Sequence, residues 1–93
     1  MDIRSALGRA LKTLRNSRGL TQEDFSNVSS RTYLSTLERG LKSPTLDKIN
    51  ALAGVIEIHP LSIMVLTYLA AEGGTVDDLL AKVRRELGEV APE

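Results

Sequence analysis

Residues 20–53 read LTQEDFSNVSSRTYLSTLERGLKSPTLDKINALA, and the punctuation of this stretch decides the fold. Thr21 precedes Gln22-Glu23-Asp24, a hydroxyl N-cap followed by acids where the helix dipole favours them. This predicts a short helix over 22–27. Ser29 or Ser30 then caps a further helix that ends near Glu38, with Gly40 as its stop. Leu34 and Leu37 share its inward face and Tyr33 closes the edge, which leaves Ser30, Arg31, Thr32, Ser35 and Thr36 outside. Two short helices joined by a tight turn thus present a small, hydroxyl-rich helix beside basic side chains. Such a helix suits the major groove of DNA, which admits one α-helix and offers hydrogen-bonding base edges.

Helical signals continue on both sides. Ile3, Leu7, Ala10, Leu11 and Leu14 form an apolar stripe, and Gly19 follows as a stop, so a first helix is expected over 2–17. Ser43-Pro44 reads as a cap with proline at the first helical position, opening a helix with Leu46, Ile49, Leu52 and Ala53 on one face. His59-Pro60 repeats that signal for a helix over 60–71. In this last helix Leu61, Ile63, Met64, Val65, Leu66, Tyr68 and Leu69 wrap most of the circumference. A helix apolar all round must be buried all round, and in so small a domain one side needs cover from another chain. After Gly73-Gly74, Val76, Leu79, Leu80, Val83 and Leu87 mark a C-terminal amphipathic helix, with a frayed tail expected from Gly88 to Glu93. The fold class is all-α.

Ninety-three residues correspond to one domain. Without cysteine the chain has neither disulfides nor thiolate metal sites, and a cytoplasmic location is expected. No apolar run approaches the roughly 20 residues of a membrane span. No apolar segment follows Asp2, so no signal peptide is expected. The net charge is zero, but it is unevenly placed. Residues 1–48 hold nine Lys/Arg against five Asp/Glu, a net of +4; residues 49–93 hold three against seven, a net of −4. A basic half and an acidic half fit a chain with phosphate on one side and a protein partner on the other.

The motif TQEDF, followed by RTYLSTLERG and SPTLDKINALA, resembles the phage-repressor and Cro-type helix-turn-helix regulators, the XRE family, over about residues 3–62. The resemblance implies a five-helix repressor-like domain over 1–71. Residues 72–93 would then add a short helix and tail for dimerisation or partner contact. It also implies a homodimer on double-stranded DNA, reading a two-fold operator as a transcriptional repressor. Carried over, Gln22 lies beside the DNA backbone, the helix from Ser30 enters the groove, and Ser43 and Thr45 present a helix N-terminus to phosphate. Such an N-terminus is an anion site on physical grounds as well. The family pattern further pairs Arg15 with Glu38, tying the first helix to the recognition helix. Two departures stand out. Leu20 to Tyr33 is about two residues shorter than the family pattern, with Asn27-Val28-Ser29 in place of a small or glycine turn residue. Glu57 stands where the family has the glycine that ends the fourth helix.

Arg31 is the foremost base reader, because a guanidinium grips guanine O6 and N7 with two parallel hydrogen bonds; a phosphate contact is the alternative. Ser30, Thr32, Ser35 and Thr36 reach bases, methyls or phosphates, Ser30 alternatively serving only as a cap. The Tyr33 hydroxyl reaches phosphate or stays at the core edge. Arg39, Lys42 and Lys48 are phosphate contacts or solvated charge. His59, the one histidine, is read as a helix cap and not as a metal ligand. No constellation supports catalysis, and no cofactor or metal is expected. The apolar excess assigns Leu61, Met64, Val65, Tyr68, Leu69, Leu80 and Val83 to a dimer interface. A rival reading is an antitoxin-like module whose acidic half binds a partner protein, with DNA binding serving autoregulation.

Overall fold

The computed structural model describes residues 1–90 and is helical throughout. Five α-helices follow in chain order: α1 (Ile3–Ser17), α2 (Arg31–Glu38), α3 (Leu46–Ile56), α4 (Pro60–Glu72) and α5 (Val76–Val90). Most begin on a side chain that satisfies an orphan N–H within three residues. Asp2 accepts from the Ser5 amide at 2.9 Å, Ser30 from Tyr33 at 3.0 Å, Thr45 from Lys48 at 3.1 Å and Thr75 from Asp78 at 3.1 Å. His59 opens α4: its Nδ1 accepts from the Leu61 N–H at 2.9 Å, and Pro60 takes the first helical position.

Three boundaries differ from the sequence reading. The helix expected over 22–27 is a single 3-10 turn, Gln22–Phe25. Its cause is local. Thr21 and Asp24 form a reciprocal capping box, with the Thr21 N–H donating to Asp24 Oδ2 at 2.7 Å. The Asp24 and Ser26 amides close i→i+3 bonds to Thr21 and Glu23. The shortened segment must also seat Phe25 in the core and still begin α2 at Arg31. Second, Thr45 and not Ser43 caps α3, so Pro44 precedes the cap instead of following it. Third, α5 continues through Gly88 to Val90, where fraying was expected; residues 91–93 of the anticipated tail lie outside the described residues.

Leu7 and Leu11 of α1, Phe25, Leu34 and Leu37 of α2, Ile49, Leu52 and Ile56 of α3 and Ile63 of α4 make one core. Helix α1 is its spine, packing against α4 along much of its length and against α2 at an angle that brings backbones together. Gly8 makes the second contact possible: a Cβ there would stand 2.5 Å from the Leu37 carbonyl oxygen and 2.6 Å from that of Glu38. Gly40 matches it from the other side, with φ +75° and a would-be Cβ 2.9 Å from Ser5 Cα. The sequence reading identified Gly40 as a helix stop but passed over Gly8. Helix α5 buries no side chain fully and touches chiefly α4.

The close contact is locked by charge. Arg15 Nε donates to Glu38 Oε2 at 2.7 Å and Nη2 to Oε1 at 3.0 Å, a fork on both carboxylate oxygens. Nη1 donates to the Leu20 carbonyl at 2.8 Å, so the same guanidinium also closes the loop after α1. The hydrogen bonds to Glu38 hold the Arg15 pKa above its ordinary value. The two side chains are only 12% and 5% exposed, so each would be a poorly solvated charge without the other.

Two predictions follow from this packing. Arg15→Met or Glu38→Gln should each destabilise the domain by about 3 kcal/mol, because each leaves a partly desolvated charge unpaired. The double variant should cost less than the sum, and additive denaturation free energies would show that the pair is not coupled. Glu57 is the one non-glycine residue with positive φ among those described, at +63°, at the C-terminus of α3. Glu57→Gly should therefore raise stability by about 1 kcal/mol, read as a higher melting temperature.

Candidate nucleic-acid interface

Helix α2 has eight residues, and its two fully buried side chains, Leu34 and Leu37, set which face points outward. Arg31, Thr32 and Arg39 are exposed; Ser35 and Thr36 are half-buried at the margin. The Thr36 hydroxyl donates back to the Thr32 carbonyl at 2.8 Å, which leaves its oxygen lone pair and methyl for a partner. With Gln22, these five residues line one shallow polar cleft of about 360 Å³. Gln22 is half-buried, and its amide nitrogen donates to Glu38 Oε1 at 3.2 Å. It is thereby held against the end of α2. Glu38 is an acid at the end of this face, but Arg15 bonds both its oxygens, so the face keeps the charge of Arg31 and Arg39.

Ser30 caps α2 through its side chain, with the Tyr33 N–H as donor. Ser29 is buried and donates to the Ser30 carbonyl at 3.2 Å. The cap left open by the sequence is thus Ser30. Tyr33 is half-buried, with two ammonium groups over its ring, Lys42 Nζ at 5.9 Å from the centroid and Lys48 Nζ at 5.5 Å. Lys42 and Ser43 are exposed on the approach to α3. Thr45 is exposed too, but its hydroxyl oxygen already accepts from the Lys48 N–H. Lys48 itself is held within the fold. It is half-buried and donates from Nζ to the Val28 carbonyl. That contact spans 20 residues, and no local pattern in the chain announces it.

The apolar residues assigned to a dimer interface fall in two grooves that meet at Leu61, with Tyr68 and Val83 outside them. Leu61, Val65, Leu69 and Leu80 line an apolar groove of about 450 Å³ between α4 and α5, together with Leu14, Leu66 and Val76. Met64 lies in the second, shallower groove with Leu46, Ile49, Pro60 and again Leu61. Tyr68 and Val83 are exposed at 41% and 39%, outside both grooves. Among the described residues no three His, Asp or Glu side chains converge as metal ligands, and no single helix is long and apolar enough to cross a membrane.

Comparison with known proteins gives concordant matches. Residues 11–63 match the sequence profile of the family described as Helix-turn-helix. An uncharacterized HTH-type transcriptional regulator, y4dJ of Sinorhizobium fredii, is 36% identical over 69 residues, covering 72% of this chain and 90% of that protein. The crystal structure of the clp gene regulator ClgR from Corynebacterium glutamicum superposes with a TM-score of 0.70 at 23% identity. That likeness covers 100% of this chain and 98% of the other, so it extends through α5, and at this identity it speaks for the fold alone. Over half the chain matches the family profile, and a relative 36% identical covers 72% of it: the chain belongs to the XRE-type helix-turn-helix family.

Proposed function

We propose that this protein is a sequence-specific transcriptional regulator, a repressor that binds a two-fold operator as a homodimer in the cytoplasm. The observation that carries the reading is the outward face of α2. Arg31, Thr32, Ser35, Thr36 and Arg39 line one polar cleft, and no carboxylate on that face is left uncovered. In the groove, Arg31 reads guanine, while the hydroxyls reach base edges or thymine methyls. Lys42, Ser43 and the first turn of α3 follow the sugar-phosphate backbone, and Gln22 supports the recognition helix from the other end. The chemistry is binding without catalysis. A chain in this family regulates by occupying DNA.

Support for a dimer comes from the far side. Val76, Val83, Leu87 and Val90 are exposed apolar side chains on α5, and Leu61 and Tyr68 are exposed on α4. Large exposed apolar patches mark interfaces. A two-fold axis through α4 and α5 would set the recognition helices about 34 Å apart, one turn of B-DNA. The bare α5, in the acidic half of the chain, also suits a second reading, a partner protein seated there. Sedimentation separates the two, since only the first requires a stable dimer of the pure chain.

Operator titrations over a range of salt concentrations test the DNA face. Arg31→Ala should lower operator affinity by about 1–3 kcal/mol and relax preference at one base pair per half-site. Lys42→Ala should weaken all sequences alike and reduce the salt slope by about 0.9. An unchanged specificity ratio for Arg31→Ala would remove that residue from base reading. Val83→Asp should dissociate the dimer and weaken operator binding while leaving the melting of the domain core near that of the parent, because Val83 is exposed in the single chain. A Val83→Asp protein that still sediments as a dimer would place the interface elsewhere.

A further inference from the structure

The turn between the two helices of the motif lacks glycine and is short. Five residues, Ser26 to Ser30, separate the buried Phe25 from the first residue of α2. The Phe25 carbonyl ties down its first half, accepting from the Val28 amide at 3.0 Å and the Ser29 amide at 2.9 Å. The Val28 carbonyl stands two residues ahead of the Ser30 cap. It lies outside the helix ladder, whose first bond runs from the Leu34 amide to Ser30. A partner for it must come from elsewhere in the fold, and Lys48 Nζ is that partner. The same ammonium sits 5.5 Å from the centroid of Tyr33, in the first turn of α2. Lys48 is itself well anchored, because its backbone N–H is held by the Thr45 cap at the start of α3.

One half-buried cation therefore touches both the carbonyl that precedes the recognition helix and the aromatic ring that begins it. A charge-assisted bond to a carbonyl is about twice as strong as a neutral one, and a desolvated cation–π contact adds to it. We infer that Lys48 is a positioning residue for DNA reading: from α3 it clamps the Val28 carbonyl and the Tyr33 ring, and so fixes where α2 begins and how it is presented to the groove. The clamp holds a short, glycine-free connection in one conformation. Lys42 is the contrast. It faces the same ring at 5.9 Å but is exposed, and it remains available to phosphate. The inference rests on the DNA-binding reading for its functional consequence, while the clamp itself can be tested in the free protein.

The test compares the parent with Lys48→Met and Lys48→Arg in two measurements. In the free protein, amide hydrogen exchange at Ser29 to Tyr33 should quicken about tenfold in Lys48→Met relative to amides of α1, the size expected for losing one such bond and ring contact. On DNA, Lys48→Met should lose about tenfold in affinity for a selected operator, while its salt slope on a mixed-sequence duplex stays that of the parent. Lys48→Arg should restore both, because a guanidinium also donates to carbonyls and stacks on rings. A slope reduced by about 0.9 with unchanged exchange would make Lys48 a phosphate ligand and overturn the inference. Equal acceleration of all amides, or no change in either measurement, would overturn it as well. Should Lys48→Met not fold, nitrogen-15 spectra of the parent decide: without DNA, one lysine ammonium should exchange slowly and lie near Tyr33, and its absence refutes the clamp. If the parent binds no duplex at all, the DNA-binding reading fails, and the free-protein exchange still judges the clamp.

Discussion

The fork between Arg15 and Glu38 is the contact on which the rest of the molecule depends. It joins the last turn of α1 to the last turn of α2, and the same guanidinium reaches the Leu20 carbonyl in the loop between them. Gln22 completes the cluster from the 3-10 turn. Four separate pieces of chain thus converge on one carboxylate and one guanidinium, at a place where water is largely excluded. Electrostatics of this kind is poor evidence for stability in itself but strongly penalises any arrangement that separates the partners. The fork therefore specifies one register of α2 on α1. Gly8 makes that register sterically possible, and Gly40 lets the chain turn away directly after it.

Holding α2 this way has a consequence for its outward face. An eight-residue helix is too short to be stable alone. Its geometry comes from Leu34 and Leu37 in the core, from the Ser30 cap at one end and from the fork at the other. Every one of these fixtures lies on the inner side or at the termini. The side chains that face outward carry no structural duty except the Thr36 back-bond, so they are free to vary with the sequence to be read. Rigidity inside and freedom outside is what a reader of base edges requires, since misplacing a bidentate donor removes its discrimination.

The charge distribution obeys the same division. Three of the five acids in the basic half are tied up locally, Glu38 in the fork, Asp24 in the capping box and Asp2 at the start of α1, where hydrogen bonds from Ser5 hold its carboxyl below the usual range; Glu23 and Asp47 are exposed. The cations Arg31, Arg39 and Lys42 stay exposed. A chain of zero net charge therefore presents a positive face. On the opposite side the constraint is apolar. Helices α4 and α5 leave Leu61, Tyr68 and Leu87 exposed.

Much of this was legible in the sequence because it is local. Caps act within three residues, so Thr21, the His59-Pro60 step and the inward pair Leu34/Leu37 could be read directly, and with them the all-α class and the family. The readings that moved were those where neighbours compete: Ser43-Pro44 against Thr45 for the start of α3, or α-helix against a 3-10 turn over 22–27. Glu57 was visible as an odd residue at a helix end, and the left-handed backbone it adopts there came only with the structure. What the sequence by itself determined is which residues start, stop and face inward along each helix. Only the tertiary structure decided that Gly8 lies under the Leu37 and Glu38 carbonyls, that Lys48 reaches the Val28 carbonyl in the turn, and that Leu61 and Met64 meet in one groove while Tyr68 and Val83 lie outside it. These contacts join residues 20 or more positions apart, or depend on how two helices cross, and no periodicity along one chain encodes the angle at which its helices meet.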